Sequence, residues 1–313
     1  MYPDLTGRLE QLTGTAVRDT QPLGSQHGIG HFRVLLTDGR MVFVKAAGPS
    51  MAVSRSAGGL VGRVAGGSGA AGLAAEANGL RWLAEADAVP VPEVLGCADG
   101  VLAISWVAQE QPSRASAEAF GRDLASLHGA DPGRLGAPWP GFIAGLPLGN
   151  SGGESWPQWY ARQRLLPFAR RARDASLLDA ADVRLVEAVA ERLPELAGPA
   201  ERTSRIHGDC WSGNVLWSGG RGWLIDPAAH GGHRETDLAM LALFGAPSLD
   251  RVMAAYQDRA PLADGWRARV PLHQLHPLLV HVCLFGAAYR EAMLGAARAA
   301  LSGRAGRGPA RRS

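Results

Sequence analysis

The first third of the chain alternates apolar and polar positions as strands do. Residues 31–45, HFRVLLTDGRMVFVK, place apolar and β-branched residues on both sides of a TDGR turn. Asp-Gly is a common hairpin signal, so two strands are predicted, with Lys45 ending the second. The preceding LGSQHGIGH contains three glycines and predicts only a short loop or turn. Further on, VPVPEVLG predicts an edge segment and GVLAISWV a buried strand.

Residues 48–72 are rich in Gly, Ala and Ser and contain few large apolar side chains. This composition predicts a mobile loop. The next segment, 73–87, repeats apolar residues at helical spacing, at Leu73, Ala77, Leu80 and Leu83. A helix is therefore predicted there, with Glu76 in its early turns.

Helical periodicity dominates the rest of the chain. A helix is predicted over 116–129, with a serine N-cap and a glycine stop, and amphipathic helices over 155–174 and 179–196. A strand-rich patch, RIHGDCWSGNVLW and GWLIDPAAH, interrupts before helices resume over 236–301. The pattern predicts an α+β fold of two lobes: a β-rich amino-terminal lobe (1–105), a mostly helical carboxy-terminal lobe (106–302) and a disordered basic tail (303–313).

Charge is spread unevenly along the chain. The net charge is +3, but the tail alone contributes Arg304, Arg307, Arg311 and Arg312 and no acid. The remaining chain is nearly neutral, with 28 basic and 29 acidic residues. We therefore expect no nucleic-acid partner, since basic termini are usually solvated.

Cysteine usage and the amino terminus both point to the cytoplasm. Cys97, Cys210 and Cys283 are few, far apart and lack a CxxC pair, which argues against a disulfide framework or a cysteine zinc site. The first residues do not resemble a secretory signal. No apolar run approaches the eighteen or so residues of a membrane span, so we also expect no membrane partner.

Lysine usage is the strongest compositional anomaly. Thirty-one of the 32 basic residues are arginine, and Lys45 is the only lysine. Arginine replaces lysine at little cost on a solvated surface, but not where a compact ammonium on a flexible stem is needed. The sequence therefore marks Lys45 as a functional candidate.

The segment with the clearest chemistry begins at His207. His207-Gly208-Asp209 is followed by Asn214, and Asp226 comes twelve residues later after an apolar run. Phosphotransferases of the kinase type use this layout: the first aspartate accepts the proton of the substrate hydroxyl, and the asparagine and second aspartate hold Mg²⁺. The hypothesis assigns Asp209 as the catalytic base and Asn214 and Asp226 as metal ligands.

The same layout gives Lys45 and Glu76 their roles. An ammonium at the end of a strand can bind the α- and β-phosphates of ATP while a helix glutamate holds it in place. We therefore expect both residues to contribute to the ATP site.

HGDCWSGNVLW and LIDPAAHGGHRETDLAMLALFG resemble the fructosamine kinase family, a branch of the aminoglycoside-phosphotransferase-like kinases. FVK, EANGL, GRDLASLHG, WPQWYARQRLLP and LHQLHPLLVHVCLFGAAY resemble further blocks of that family, in order. The resemblance implies a two-lobed protein-kinase-like fold, ATP with Mg²⁺, and phosphorylation of the 3-hydroxyl of a ketosamine. By analogy, the product releases its amine, so the role would be the repair of glycated amines.

The resemblance also assigns further site residues. Ser105, Trp106 and Val107, at the lobe junction, are assigned to ATP. Trp211 and Arg234 are assigned to substrate. Trp211 is equally compatible with core packing, and a buried network of Arg234, Glu235 and Asp237 that fixes the loop after Asp226 is favoured over a direct catalytic role. His207 is expected to orient the loop.

The chain departs from the family in three places: Cys210 replaces a leucine, the glycine-rich loop lacks the usual pattern, and residues 48–72 are rich in glycine and alanine. Other hypotheses also stay open. His230 and His233 are expected at the surface or near substrate, and His276 and His281 do not share a helix face suited to a metal. The alternative function is an aminoglycoside or other amino-alcohol phosphotransferase, and a different class is a nucleotide-binding protein without activity.

Overall fold

The amino-terminal part of the chain forms an antiparallel sheet with strand order β1-β2-β3-β5-β4. The computed structural model describes residues 4–48 and 68–303. The strands are β1 (Val17–Gln26), β2 (Ile29–Leu36), β3 (Met41–Ala47), β4 (Val94–Ala98) and β5 (Val101–Ser105). The predicted hairpin is confirmed, with Lys45 paired to His31 across β2 and β3.

Strand β1 was missed by the sequence reading. Its residues are almost all exposed, so it lacks the apolar alternation on which strand prediction depends. His27 and Gly28 join it to β2, and both have positive φ, 50° and 81°. Positive φ at both central residues is typical of a tight hairpin turn, so the glycine-containing segment is a hairpin.

Helices α1 (Leu5–Thr13) and α2 (Ser68–Ala84) pack on this sheet. Helix α2 begins five residues before the predicted start, because Gly69 fits against Ala47 and Ile29 and Gly72 approaches Phe142. Small residues allow this close approach, and the loop predicted over 48–72 is therefore wrong for residues 68–72. The rest of that prediction, at 49–67, and the predicted disorder of 304–313 fall outside the described residues.

Helices make up most of the second lobe. They are α3 (Arg114–Gly129), α4 (Trp156–Tyr160), α5 (Leu166–Asp174), α6 (Ala180–Leu196), α7 (Glu235–Phe244), α8 (Leu249–Arg259), α9 (Trp266–Phe285) and α10 (Arg290–Ser302). The N-cap of α3 is Ser113 rather than Ser116, since the Ser113 and Ser116 side chains form a reciprocal capping box. A π-helical turn, Ala161–Leu165, joins α4 to α5.

Short strands lie between these helices. They are β6 (Gly141–Ile143), β7 (Leu146–Leu148), β8 (Ser204–Ile206), β9 (Val215–Ser218), β10 (Arg221–Leu224) and β11 (His230–Gly232). They pair as β6 with β7, β9 with β10 and β8 with β11. The predicted strand-rich interruption is thus confirmed, as is the α+β two-lobed fold.

Apolar packing holds the helical lobe together. Leu272, Leu275 and Leu279 of α9 are buried in one cluster with residues of α5, α6 and α10. The stretch Trp266–Ser302 is long and apolar enough to cross a membrane, judged by length and composition alone. It is the one such stretch among the described residues. In this fold, α9 packs against α5, α7 and α10.

Candidate active site

Lys45 links the two lobes through two carboxylates. Its Nζ lies 2.8 and 2.9 Å from the two carboxylate oxygens of Glu76 on α2, and 2.5 Å from Oδ1 of Asp226 in the second lobe. Strand β3 carries Lys45 and helix α2 carries Glu76, and the segment after β10 supplies Asp226. The predicted Lys45 and Glu76 contact is therefore present.

The Lys45 ammonium is held in its charged form. Burial alone would lower the pKa of Lys45, but the charges of Glu76 and Asp226 outweigh it and raise the pKa. The side chain is only 7% exposed, and three carboxylate oxygens from two residues surround its one nitrogen atom. A planar guanidinium is too wide for this position, which gives a physical reason for the single lysine.

Asp209 lies on the loop between β8 and a 3₁₀ turn, Ser212–Asn214. The Asn214 side-chain amide donates to the Asp209 carbonyl at 2.9 Å and to its carboxylate Oδ2 at 3.0 Å. Burial raises the pKa of Asp209 to about 7, against the opposing hydrogen bond from Asn214. A carboxyl with this pKa can accept a proton near neutral pH.

The Asp209 loop is anchored by a fully buried carboxylate on α7. Asp237 accepts hydrogen bonds from the backbone N–H groups of His207, at 2.7 Å, and Gly208, at 2.9 Å. His128 Nε2 lies 3.1 Å from the same carboxylate. Gly208 has φ of 80°, and a Cβ there would lie 2.4 Å from the carbonyl oxygen of Ala228, so only glycine fits.

The buried His207 ring also holds the Asp209 loop in place. Its Nε2 lies 2.8 Å from the carbonyl oxygen of Ile225, and the Asp209 backbone N–H donates to its Nδ1 at 3.3 Å. Burial lowers the pKa of His207, so the ring is neutral, with the proton on Nε2. The expectation that His207 orients the loop is confirmed.

Asp226 occupies an unusual backbone conformation between β10 and β11. Its φ of 54° is in the left-handed region, which aspartate tolerates better than most residues. Pro227, the next residue, packs against Gly79 of α2, where a Cβ would lie 3.2 Å from the proline ring. The glycine in EANGL therefore lets α2 approach the Asp226 segment.

One cleft contains all these groups. Lys45, Glu76, Asp209, Asn214 and Asp226 line it together. The Asp226 side chain is 41% exposed in the cleft. The Asn214 amide nitrogen donates to Asp209, so the side-chain oxygen of Asn214 is the atom that could bind a metal. Carboxylate and amide oxygens suit a hard cation, so this donor set fits Mg²⁺.

Of the two residues assigned to substrate, one lines the cleft and the other does not. Trp211 lines the cleft and is 39% exposed, so core packing is not its role. Arg234 does not line the cleft. Its guanidinium pairs with Glu201 at 2.6 Å and donates to the carbonyls of Ala260 and Pro261, which makes it part of a structural network.

The lobe junction also lies outside the lining of this cleft. Ser105 Oγ accepts from the Glu93 backbone N–H at 2.9 Å, and the Trp106 ring lies 6.2 Å from that of Phe43. The Trp106 N–H donates to the Met41 carbonyl and so extends the sheet beyond β5. Val107 follows directly in the chain. Ser105, Trp106 and Val107 therefore lie next to β3, the strand that carries Lys45.

Sequence reasoning missed several groups that line the cleft. Gln26, His27 and His31 come from the β1–β2 hairpin, and Phe142 comes from the β6–β7 hairpin. The turn residues His27-Gly28 could have indicated this hairpin, but β1 is exposed and so lacks the apolar alternation that predicts a strand. Phe142 had no local signal, because its place depends on contacts between α2 and β6.

His230 and His233 are both buried and neither is among the residues that line the cleft, so the expectation of a surface or substrate position is wrong. His230 packs on Trp159, with ring centroids 5.3 Å apart. His233 lies with Glu235 and His273 in a group whose possible ligand atoms are within 4.8 Å of one another. Arg269 pairs with Glu235 at 2.5 Å, and its positive charge argues against a metal there.

Comparisons with known proteins agree with this geometry. The fructosamine kinase family model matches residues 63–302. A protein named probable ketoamine kinase from Enterococcus faecium is 32% identical over 219 residues, which cover 69% of this chain and 78% of the relative.

Solved structures extend the likeness to the whole fold. A Thermobifida fusca protein, provisionally assigned as a fructosamine-3-kinase, is 50% identical with a TM-score of 0.85, over 95% of this chain and 98% of that one. The ADP-bound aminoglycoside phosphotransferase APH(2'')-Ib has a TM-score of 0.61 at 14% identity, over 97% and 98% of the two chains. This second likeness concerns the fold alone.

Proposed function

Because the chain belongs to the fructosamine kinase family, we propose that it transfers the γ-phosphoryl group of ATP to the 3-hydroxyl of a ketosamine sugar. The observation that carries the proposal is the convergence of Lys45, Asp209, Asn214 and Asp226 on one cleft. A phosphotransferase acting on a sugar hydroxyl needs a base, a cation that binds phosphate and oxygen ligands for a metal. These residues supply each of them.

Asp209 is the proposed base. As the sugar hydroxyl attacks, its proton passes to the Asp209 carboxylate, whose pKa of about 7 suits this step near neutral pH. Asn214 holds the carboxylate in place through the hydrogen bond at 3.0 Å. Asp237 keeps the loop rigid, so little reorganisation is needed as charge develops.

Lys45 is the proposed phosphate contact. Its ammonium carries three donor hydrogens, and Glu76 holds it in position from α2. In this proposal Lys45 turns part of its bonding from Asp226 to the phosphates of ATP. Asp226 then has its carboxylate free for metal.

Asn214 and Asp226 would hold Mg²⁺. When bound, the ion neutralises charge on the β- and γ-phosphates. For the adenine end we propose Ser105, Trp106 and Val107, because this segment follows β5 beside β3. Trp211 is the proposed sugar contact, because it lines the cleft and its backbone N–H donates to the Asp209 carbonyl at 3.0 Å.

The proposed acceptor is a ketosamine, a small glycated amine, and the proposed place of action is the cytoplasm. The 3-hydroxyl is on the carbon next to the C2 carbonyl, and the amine is on C1. After a proton moves from C1 to give the 1,2-enaminol, phosphate can leave C3, and water then hydrolyses the resulting imine to free amine and a dicarbonyl sugar. This release of the amine would make the activity one of deglycation.

A phosphate-transfer assay with Mg-ATP tests this function. The panel contains fructosamines, ribulosamines and aminoglycosides. We expect turnover of ketosamines, with phosphorus NMR placing the phosphate on the 3-hydroxyl and free amine appearing afterwards. Turnover of aminoglycosides without any ketosamine would establish the alternative, an aminoglycoside or amino-alcohol phosphotransferase.

A further inference from the structure

Exposed large apolar side chains concentrate at one place in the described part of the chain. They are Leu23, Trp211, Phe244 and Phe285, at 46%, 39%, 39% and 53% exposure. Trp211 and Phe285 line the cleft, and Phe244 contacts the Trp211 ring, where His281 and Tyr289 join them. Clustered apolar exposure usually marks a binding surface, whereas single exposed side chains are ordinary.

These rings form a continuous surface, which we call the aromatic wall: Trp211, Phe244, His281, Phe285 and Tyr289. The ring centroids of Trp211 and Phe244 are 6.1 Å apart, and those of Phe244 and His281 are 4.9 Å apart. His281 lies 5.4 Å from Phe285 and 4.8 Å from Tyr289. The residues come from the Asp209 loop, α7, α9 and the turn after it.

The aromatic wall begins at the point of proposed phosphoryl transfer. The Trp211 backbone N–H donates to the Asp209 carbonyl at 3.0 Å, and Trp211, His281 and Phe285 line the same cleft as Asp209. Lys45 and Asp226 line the same cleft and pair with each other at 2.5 Å. If ATP binds at Lys45, an acceptor whose hydroxyl lies at Asp209 can place its remaining atoms against the wall.

The side chains of the aromatic wall carry no charge. Within the described part of the chain, the acidic residues that line the cleft are Glu76, Asp209 and Asp226, and each is hydrogen-bonded to Lys45 or Asn214. His281 Nδ1 lies 2.7 Å from the carbonyl oxygen of Pro277, and burial lowers the pKa of His281, so its ring is neutral near pH 7.

Neighbouring lining residues are also apolar: Met240, Val280 and Leu284. Among the described residues that line the cleft beside the wall, none carries a carboxylate to receive the ammonium groups of a polyamine or a cation to receive an acidic group. Flat apolar groups stack well on such rings, and a protonated secondary amine is attracted by their faces.

We infer that the aromatic wall is the subsite for the amine-derived part of the acceptor, and that it selects ketosamines whose nitrogen carries an aromatic or apolar group. The inference rests on the proposed function and specifies its substrate class. Trp211 meets the sugar end, and Phe244, Phe285 and Tyr289 meet the substituent. Acceptors with an anionic substituent are disfavoured, because the wall offers the anion no partner.

Three ketosamines of the same sugar test this inference, made from benzylamine, methylamine and glycine. The measurement is kcat/KM for each at saturating Mg-ATP. For the natural chain we expect the benzyl compound to exceed the methyl compound by about tenfold and the glycine compound by more, as one well-packed aromatic ring allows.

Phe285→Ala and Phe244→Ala remove parts of the wall that are exposed, so both variants should fold. Each should lower kcat/KM for the benzyl compound by about tenfold, mainly through KM, and change the methyl compound by less than about threefold. Leu23→Ala is the matched control, an exposed apolar side chain outside the wall. It should leave the benzyl to methyl ratio unchanged.

The outcomes separate this inference from the proposed function. If all three ketosamines turn over and neither phenylalanine variant changes the benzyl to methyl ratio, the subsite is overturned while the kinase activity stands. If no ketosamine turns over at all, the proposed function fails, and the substrate class fails with it.

Discussion

Lys45 on β3 and Asp226 after β10 are 181 positions apart in the chain, yet their side chains meet at 2.5 Å. Glu76 completes the arrangement from α2. One ammonium therefore joins the sheet, the helix beside it and the second lobe. The contact also places the proposed phosphate ligand next to a proposed metal ligand.

Lys45→Arg should lower kcat/KM for ATP by at least about tenfold, although the charge is kept. The side chain is only 7% exposed, and the wider guanidinium cannot contact both carboxylates in the same space. Steady-state kinetics with varied ATP measures the effect. Arg40→Lys is the matched control, since Arg40 is exposed and pairs with Asp38 at a hairpin turn. Normal ATP kinetics in Lys45→Arg would show that charge alone is enough.

Asp209→Asn should lower turnover by roughly a hundredfold to ten-thousandfold, as the loss of a general base does. KM for ATP should change little, because Asp209 faces the acceptor in the proposed reaction. Asp123→Asn, at a surface ion pair with Arg221, serves as the control. Turnover retained within about threefold would remove Asp209 from its proposed role.

The same substitution should stabilise the chain at alkaline pH when nucleotide and metal are absent. Burial raises the pKa of Asp209 to about 7 in the folded state, above its usual range. Charging this group therefore costs folding free energy as pH rises from about 4 to 7, and the cost is complete above that range. Asparagine has no charge to bury.

We expect the free energy of unfolding of Asp209→Asn to exceed that of the natural chain by roughly 2 to 4 kcal/mol at pH 8, with little difference at pH 4. Urea unfolding with EDTA present measures it at both pH values. An equal difference at pH 4 and pH 8 would contradict a titration at Asp209.

Asp237→Asn should weaken both the fold and turnover. An asparagine amide has one carbonyl oxygen to offer, whereas the carboxylate accepts from the backbone N–H groups of His207 and Gly208 with separate oxygens. A buried donor without a partner costs about 1 to 3 kcal/mol. Urea unfolding should show a loss of this size.

Turnover of Asp237→Asn should fall about tenfold or more, while KM for ATP stays near its normal value, because the Asp209 loop moves but Lys45 does not. Asp258→Asn, on the exposed side of α8, is the control and should change neither quantity. Unchanged stability in Asp237→Asn would mean that water or a rotated side chain replaces the lost acceptor.

Gly213→Ala should lower kcat/KM for the acceptor by displacing the Trp211 ring. A Cβ at position 213 would lie 2.2 Å from the Trp211 indole, which is too close for both to stay in place. In a Trp211→Ala background, the glycine substitution should have no further effect, and this double-mutant cycle is the measurement. Gly295→Ala, where a Cβ meets nothing within 4 Å, is the control.

The sequence alone determined the parts of this protein that depend on short-range patterns. Alternating and helical periodicities predicted most strands and helices, and the spacing from His207 to Asp226 predicted which groups meet at the cleft. The single lysine marked Lys45. These signals are local, since a loop, a hairpin or one helix face fixes the relative positions of the residues concerned.

The tertiary structure decided what depends on distant partners. In the folded chain Arg234 pairs with Glu201, and His230 and His233 are buried. Rings from α7, α9 and the Asp209 loop come together as the aromatic wall. The tertiary structure also set the burial that raises the pKa of Asp209. Burial, charge environment and ring contacts come from segments far apart in the chain, and no periodicity or motif spacing records them.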